Sequence, residues 1–238
     1  MRRKRARRKR TAVSTAGTRV KDKPGRAAVL SADTLHRLAL RVGDFLFRHR
    51  SYTPVPLAVL LVWQAEATYP QVLWGLALMA GGELFRLMAV RSAGNATRTR
   101  RVGARQLVTW GLYSHTRNPL YIGNLLLWTG VVIFAGGPYT PWLLAAVFIL
   151  FLVQYTLIIS LEEATLAKLF GESYAAYRES VPRVIPRLRK ASGATSDATI
   201  ARRGVTHPWR YAFRSERSTF IAIAAVLTLT LISTYFKA

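Results

Sequence analysis

Residues 119–160 read PLYIGNLLLWTGVVIFAGGPYTPWLLAAVFILFLVQYTLIIS, a stretch without a single Asp, Glu, Lys or Arg. It is apolar on every helical face rather than along one stripe, so no soluble surface is left for either half of it. A helix needs about 20 mostly apolar residues to cross a bilayer core. The GGPYTP turn divides the stretch into two such spans, Leu120 to Ala135 and Pro141 to Ser160. Together they predict a transmembrane helical hairpin.

The same pattern recurs on both sides. Upstream, Pro54 and Pro56 open a first span from Val55 to about Ala67, and the Tyr69-Pro70 turn leads into a second from Gln71 to Val90. The first is short and ends in Gln64 and Glu66, so it either tilts or begins earlier, in the helix before it. Downstream, Thr219 to Phe236 forms a last span. Between residues 31 and 50, Leu35, Leu38, Val42 and Phe45 recur at helical spacing while Arg37, Arg41 and Arg48 occupy another face, the pattern of an amphipathic helix lying in the membrane interface. The fold expected is therefore an all-α integral membrane protein of about five transmembrane helices with an N-terminal interfacial helix.

Charge orients these spans. The chain holds 35 Lys plus Arg against 11 Asp plus Glu, and basic residues accumulate on the cytoplasmic side of membrane proteins. The N-terminal 53 residues hold 16 basic residues, the 92–118 loop five and the 161–218 region eleven, while the turns at 68–70 and 136–140 hold none. Five spans with a cytoplasmic N-terminus place every basic loop inside and both short turns outside. Chain organisation follows: a disordered polybasic tail (1–30), the interfacial helix (31–50), a first hairpin (51–91), a core of basic loop, second hairpin and amphipathic helix (92–187), a polar linker (188–204), and an interfacial segment with the last span (205–238).

The tail opens MRRKRARRKR but has no hydrophobic region after it, so it does not read as a secretory signal. It suits anionic lipid head groups at about 1 kcal/mol per basic residue near the surface, and nucleic acid is the weaker reading. The absence of cysteine excludes disulfides, thiolate metal sites and cysteine nucleophiles, and four scattered histidines argue against a metal centre.

Two polar clusters interrupt this scheme. The first lies at the mouth of the third span, where Arg117, Asn118, Pro119 and Tyr121 adjoin. Arg117 offers a planar fork for a carboxylate or phosphate, and Asn118 can donate and accept. Pro119 restricts the residue before it, and Gly123 permits close approach to the backbone. The plainer alternative is a basic helix start with a tyrosine interface anchor. The second cluster is the pair Glu162 and Glu163 at the exit of the fourth span, about 100° apart on a helix. Taken alone, such a pair reads as solvated charge. Topology, however, puts both clusters at facing ends of one hairpin, where an arginine and a carboxylate could together bind a zwitterion. Glu83 and Arg86, three residues apart in the second span, form either a pair that lowers the cost of burial or part of a site.

These residues carry a resemblance. The run GLYSHTRNPLYIG (111–123) followed by EEATLAKLFGESYAAY (162–177), Val-Pro-Arg and Pro186 resembles the small integral-membrane methyltransferases, the family of isoprenylcysteine carboxyl methyltransferases and phospholipid N-methyltransferases. The likeness runs from about Val102 to Pro186. It implies S-adenosylmethionine bound at the cytoplasmic face and a lipidic methyl acceptor drawn from the bilayer. It also implies Arg117, Asn118, Pro119, Tyr121 and Gly123 in the first cofactor motif and Glu162 and Glu163 in the second. On that reading Glu163 binds the cofactor and Glu162 is the catalytic carboxylate that orients the acceptor, while Arg183 is expected to hold an anionic head group, with a lipid-phosphate contact outside catalysis as its alternative. Many members have His where this chain has Asn118, and the prenylcysteine enzymes carry an Arg where it has Leu157, Ile158 and Ile159, differences that weaken the case for a prenylcysteine carboxylate as acceptor. Direct displacement from a sulfonium requires alignment and desolvation, with no metal and no covalent enzyme intermediate. The rival from another class is a membrane-anchored, non-catalytic adaptor that works through its polybasic tail.

Overall fold

The computed structural model describes residue 38 and residues 41–50, 52–94, 106–187 and 206–237, all within one compact unit, Leu38–Ala238. The polybasic tail, the start of the expected interfacial helix and the polar linker lie outside the described residues. Among the described residues every named element is helical: α1 (residues 41–49), α2 (Val55–Gln64), α3 (Tyr69–Ala93), a 3₁₀ turn (Gly111–Ser114), α4 (Pro119–Ala135), α5 (Thr140–Ser180) and α6 (Trp209–Lys237).

Three of these, α3, α5 and α6, are long and apolar enough to cross a membrane, and α2 and α4 are shorter apolar helices. At about 1.5 Å per residue, α4 reaches about 25 Å and α2 only about 15 Å. The first expected span is thus helical for only part of its length. The helix ends at Gln64, where Ala65 turns to φ −59° and ψ 130°, and the Gln64 side chain is spent on the outer turn: its amide nitrogen donates to the Gly136 carbonyl, and its oxygen accepts from the Tyr139 amide at 3.2 Å. Residues 65–68 run extended, and the Glu66 amide donates to the Ala135 carbonyl at 3.0 Å. The outer turn between α4 and α5 is therefore pinned to the end of α2. Gly136 and Gly137 make this possible with φ of 63° and 87°, a region that L side chains rarely adopt.

The tightest seam joins α3 to α4. Gly75 and Gly82 on α3 face Gly130 and Gly123 on α4, and a Cβ on Gly82 would sit 2.8 Å from the Gly123 carbonyl oxygen. Small residues at a seven-residue spacing let the two backbones meet, which is how helices associate where lipid offers no hydrophobic drive. Around this seam Leu61, Met79, Leu127, Val131, Phe134, Val147 and Phe151 form the main apolar cluster.

The outer faces remain apolar: Leu73, Phe148, Ile149, Leu152, Val153, Ile221 and Leu229 are exposed. Trp63, Tyr69, Tyr139, Trp142 and Tyr235 are exposed around the end that carries both short turns. Unpaired apolar surface of this extent, ringed by aromatics, is that of a membrane protein. At that same end Lys237 donates to the carbonyls of Trp63 and Ala65, tying α6 to the end of α2.

Two expectations need revision. The fourth span and the charged stretch after it are one element: α5 continues beyond Ser160 and is broken only at Gly171, whose φ of 50° and ψ of −122° turn the last segment so that Tyr174 and Tyr177 pack with Leu107 and Val181. The last helix starts ten residues before the expected span, at Trp209. In α1, Val42 and Phe45 are exposed on one side and Arg41 and Arg48 on another, while a third side packs inward: Phe47 is buried and Gly43 lies against the backbone of Leu157 on α5.

Candidate functional site

The two polar clusters meet. Residues 181–187 return across the loop before α4 and are laced to it through the backbone: the Arg117 amide donates to Pro182 at 2.9 Å and the Arg187 amide to His115 at 3.0 Å. Side chains complete the clasp, with the Thr116 hydroxyl donating to Val184 at 2.8 Å and the Asn118 amide nitrogen to the Arg183 carbonyl at 2.8 Å. Asn118 sits at φ −129° and ψ 55°, outside the helical region that Pro119 disfavours for it but short of the extended geometry expected before a proline.

Behind the clasp, Glu162 and Glu163 diverge as neighbours on a helix must. Glu163 reaches Arg117 Nη1 at 3.2 Å and Arg183 Nε at 3.4 Å, in charge contact but without the alignment of a hydrogen bond. Arg117 Nε and Nη1 and Glu163 Oε1 are buried with no hydrogen-bond partner. Glu162 turns instead to α4 and accepts from the Tyr121 hydroxyl at 3.0 Å. It lies past Ser160, beyond the apolar stretch. Burial raises its carboxyl above the ordinary carboxylate range, against the opposing pull of the Tyr121 hydrogen bond and the Arg50 charge. Burial, with the Glu162 charge adding to it, also raises the Tyr113 hydroxyl, which stays a proton donor at neutral pH.

Arg117, Asn118, Pro119, Tyr121, Glu162 and Glu163 all line one cavity of about 630 Å³. Its wall also includes Arg50 from the end of α1, Tyr113, Tyr174 and Tyr177. Two expected residues lie elsewhere. Gly123 does not line the cavity; the neighbour it admits is α3, with Arg86 Cγ and the Gly82 carbonyl where a Cβ would go. Arg183 also stands outside the lining, held by Glu163 and by the Ser160 hydroxyl at 2.8 Å.

A third cluster shares the cavity. The expected Glu83–Arg86 pair forms at 3.2 Å, and Arg86 in addition pairs with Glu216 of α6 and donates to Asn124 and Thr219. Arg86, Asn124, Glu216 and Thr219 all line the cavity. The sequence reading missed Glu216 because the last span was started at Thr219. The available signal was helical spacing, since Ala212, Glu216 and Ile223 fall on one face.

The site chemistry is thus a buried guanidinium and a carboxylate with unused hydrogen-bonding capacity, next to a second carboxylate steered by a tyrosine. The first pair suits a ligand that carries a carboxylate and an ammonium together.

Residues 70–173 match the family model described as phospholipid methyltransferase. Protein-S-isoprenylcysteine O-methyltransferase of Xenopus laevis is 30% identical over 172 residues, covering 63% of this chain and 56% of that protein. Methanethiol S-methyltransferase of Pseudomonas deceptionensis is 30% identical over 145 residues, covering 57% and 53%. Protein-S-isoprenylcysteine O-methyltransferase of Schizosaccharomyces pombe (strain 972 / ATCC 24843) is 32% identical over 115 residues, covering 47% and 48%. The chain spans about half the length of these curated relatives. No solved structure matches it. Both motifs of the cavity lie inside or beside the matched stretch, and the matches make the chain similar to the membrane methyltransferases that act as phospholipid methyltransferases and isoprenylcysteine O-methyltransferases.

Proposed function

We propose that this chain is a multi-pass membrane methyltransferase that uses S-adenosylmethionine to methylate a lipidic or lipid-linked acceptor at the cytoplasmic face, with five spans and its N-terminus inside. The observation that carries this reading is the junction of Arg117 and Glu163, buried together with unsatisfied donors and an unsatisfied acceptor, in the same cavity as Glu162. That donor set fits the zwitterionic end of the cofactor. When bound, S-adenosylmethionine supplies a methyl group on a positively charged sulfur.

The chain's own residues do the rest. Arg117 holds the cofactor carboxylate, Glu163 its ammonium or ribose hydroxyls, and Pro119 and Asn118 fix the loop that presents Arg117. Tyr121 holds Glu162 by Oε1, leaving Oε2 to orient the acceptor and take up its proton. The low exposure of Arg117 and Glu163 behind the clasp reduces screening by water, which strengthens their contacts to the cofactor. Arg183, outside the cavity lining and partly exposed, holds an anionic head group in this reading.

The decisive experiment is titration of the detergent-purified protein with S-adenosylmethionine, followed by incubation of membrane lipid extract with methyl-labelled cofactor. Saturable binding and a labelled lipid are expected, and absence of binding overturns the reading. A base-labile label identifies a carboxyl ester; a base-stable one identifies an N- or S-methyl product.

The role of Glu162 has its own signature. Only the carboxylate can take a proton, so the rate should rise with pH through a step above the ordinary carboxylate range. Tyr121→Phe removes a hydrogen bond that favours the carboxylate, so the step should move to higher pH. Rate profiles of parent and variant check this; a step that stays in place removes Glu162 from the proton transfer.

A further inference from the structure

Helix α6 lies beyond the family-matched stretch 70–173, yet it contributes to the wall of the cavity. Its Glu216 is 1% exposed, among the most buried side chains described. A carboxylate so buried is kept by its partners, and the structure supplies them: Glu216 accepts from Arg86 and from the Thr219 hydroxyl at 2.8 Å, and Thr219 in turn accepts from Arg86 at 3.2 Å. Arg86 is thereby gripped from α6 on one side and by Glu83 on the other.

The contacts continue toward the proposed catalytic carboxylate. Arg86 donates to Asn124 Oδ1, which leaves the Asn124 amide nitrogen to donate to the Tyr155 hydroxyl at 3.0 Å. The Tyr155 ring lies against that of Tyr121, with centroids 4.4 Å apart, and the Tyr121 hydroxyl holds Glu162. Each of these links faces the same open cavity and is not sealed between helices. A network serving only to glue α6 to α3 would need neither the asparagine nor the tyrosine pair.

Resting on the methyl-transfer reading, we infer that α6 is part of the site and that Glu216 and Thr219 are positioning residues, holding Arg86 so that Asn124 and Tyr155 keep the Tyr121 hydroxyl on Glu162. They act through Arg86 and touch neither reactant.

The test uses the full chain labelled with 3-fluorotyrosine in detergent, with the Tyr121 fluorine resonance assigned by its loss in Tyr121→Phe. Glu216→Gln has the shape of the native side chain and still accepts hydrogen bonds, and Thr219→Val is milder still, so two variants guard against loss of the fold. Both are expected to move the Tyr121 resonance and to lower methyl transfer to lipid extract about tenfold, while S-adenosylmethionine affinity stays within about twofold. Glu216→Asp should recover part of the rate. An unmoved Tyr121 resonance overturns the inference, as does cofactor affinity that falls in step with the rate, since that pattern is general damage. A parent protein that binds no cofactor overturns the methyl-transfer reading and the assigned role with it. The resonance, read without cofactor, tells that failure from a break in the chain of contacts.

Discussion

Arg117→Ala is expected to weaken S-adenosylmethionine binding about a hundredfold, or about 2.8 kcal/mol. The guanidinium is about 10% exposed and meets Glu163 at 3.2 Å, so its charge acts where water screens little. Hydrogen bonds to charged groups are worth about 1.5–3 kcal/mol each, and a fork that makes two accounts for the loss. The loop itself should survive, because the backbone amide of residue 117 still bonds Pro182. Arg183→Ala provides the contrast: its side chain is 39% exposed and stands outside the cavity, so at most about a fivefold loss is expected, the scale of an exposed ion pair. Calorimetric titration of both variants in detergent checks the pair. Equal, small losses would remove Arg117 from the cofactor's contacts.

The second large effect concerns the fold. Gly82→Ala and Gly130→Ala should each destabilise the protein by about 3 kcal/mol, the upper end of the overpacking range. A Cβ at Gly82 would lie 2.7 Å from the Leu127 nitrogen, and one at Gly130 would lie 2.7 Å from the Gly75 carbonyl oxygen. These are backbone atoms in helices, which cannot move aside as a flexible side chain does. Gly81→Ala, one position away, meets nothing within 4 Å and should be neutral or stabilise by up to about 1 kcal/mol through helix propensity. Thermal unfolding of the three variants in one detergent reads the difference. Similar midpoints for Gly81→Ala and Gly82→Ala would mean that the α3–α4 seam opens without cost.

This seam also shows where sequence reading stops. Gly123 sits inside the cofactor-like motif, and its lack of a side chain says only that something comes close. That the neighbour is α3 depends on the 82–123 register, set by two helices meeting across an intervening loop. Asn118 is similar: its capacity to donate was legible, but its partner, the Arg183 carbonyl, lies 65 residues away.

Apolar length and proline and glycine punctuation decided the helices, since in lipid the backbone must satisfy itself and a charge-free run of about 20 residues has few other solutions. Local spacing decided as much again: Glu162 and Glu163 must diverge, and Glu83 and Arg86 must share a face. Tertiary structure decided how those faces were used. It pinned the α4–α5 turn to the end of α2 through Gln64, placed Glu163 between Arg117 and Arg183, and brought Glu216 across 130 residues to Arg86. The physical reason is one of range: helix formation and lipid solvation are read within a few turns, whereas a buried ion pair or a glycine seam exists only once distant segments have docked.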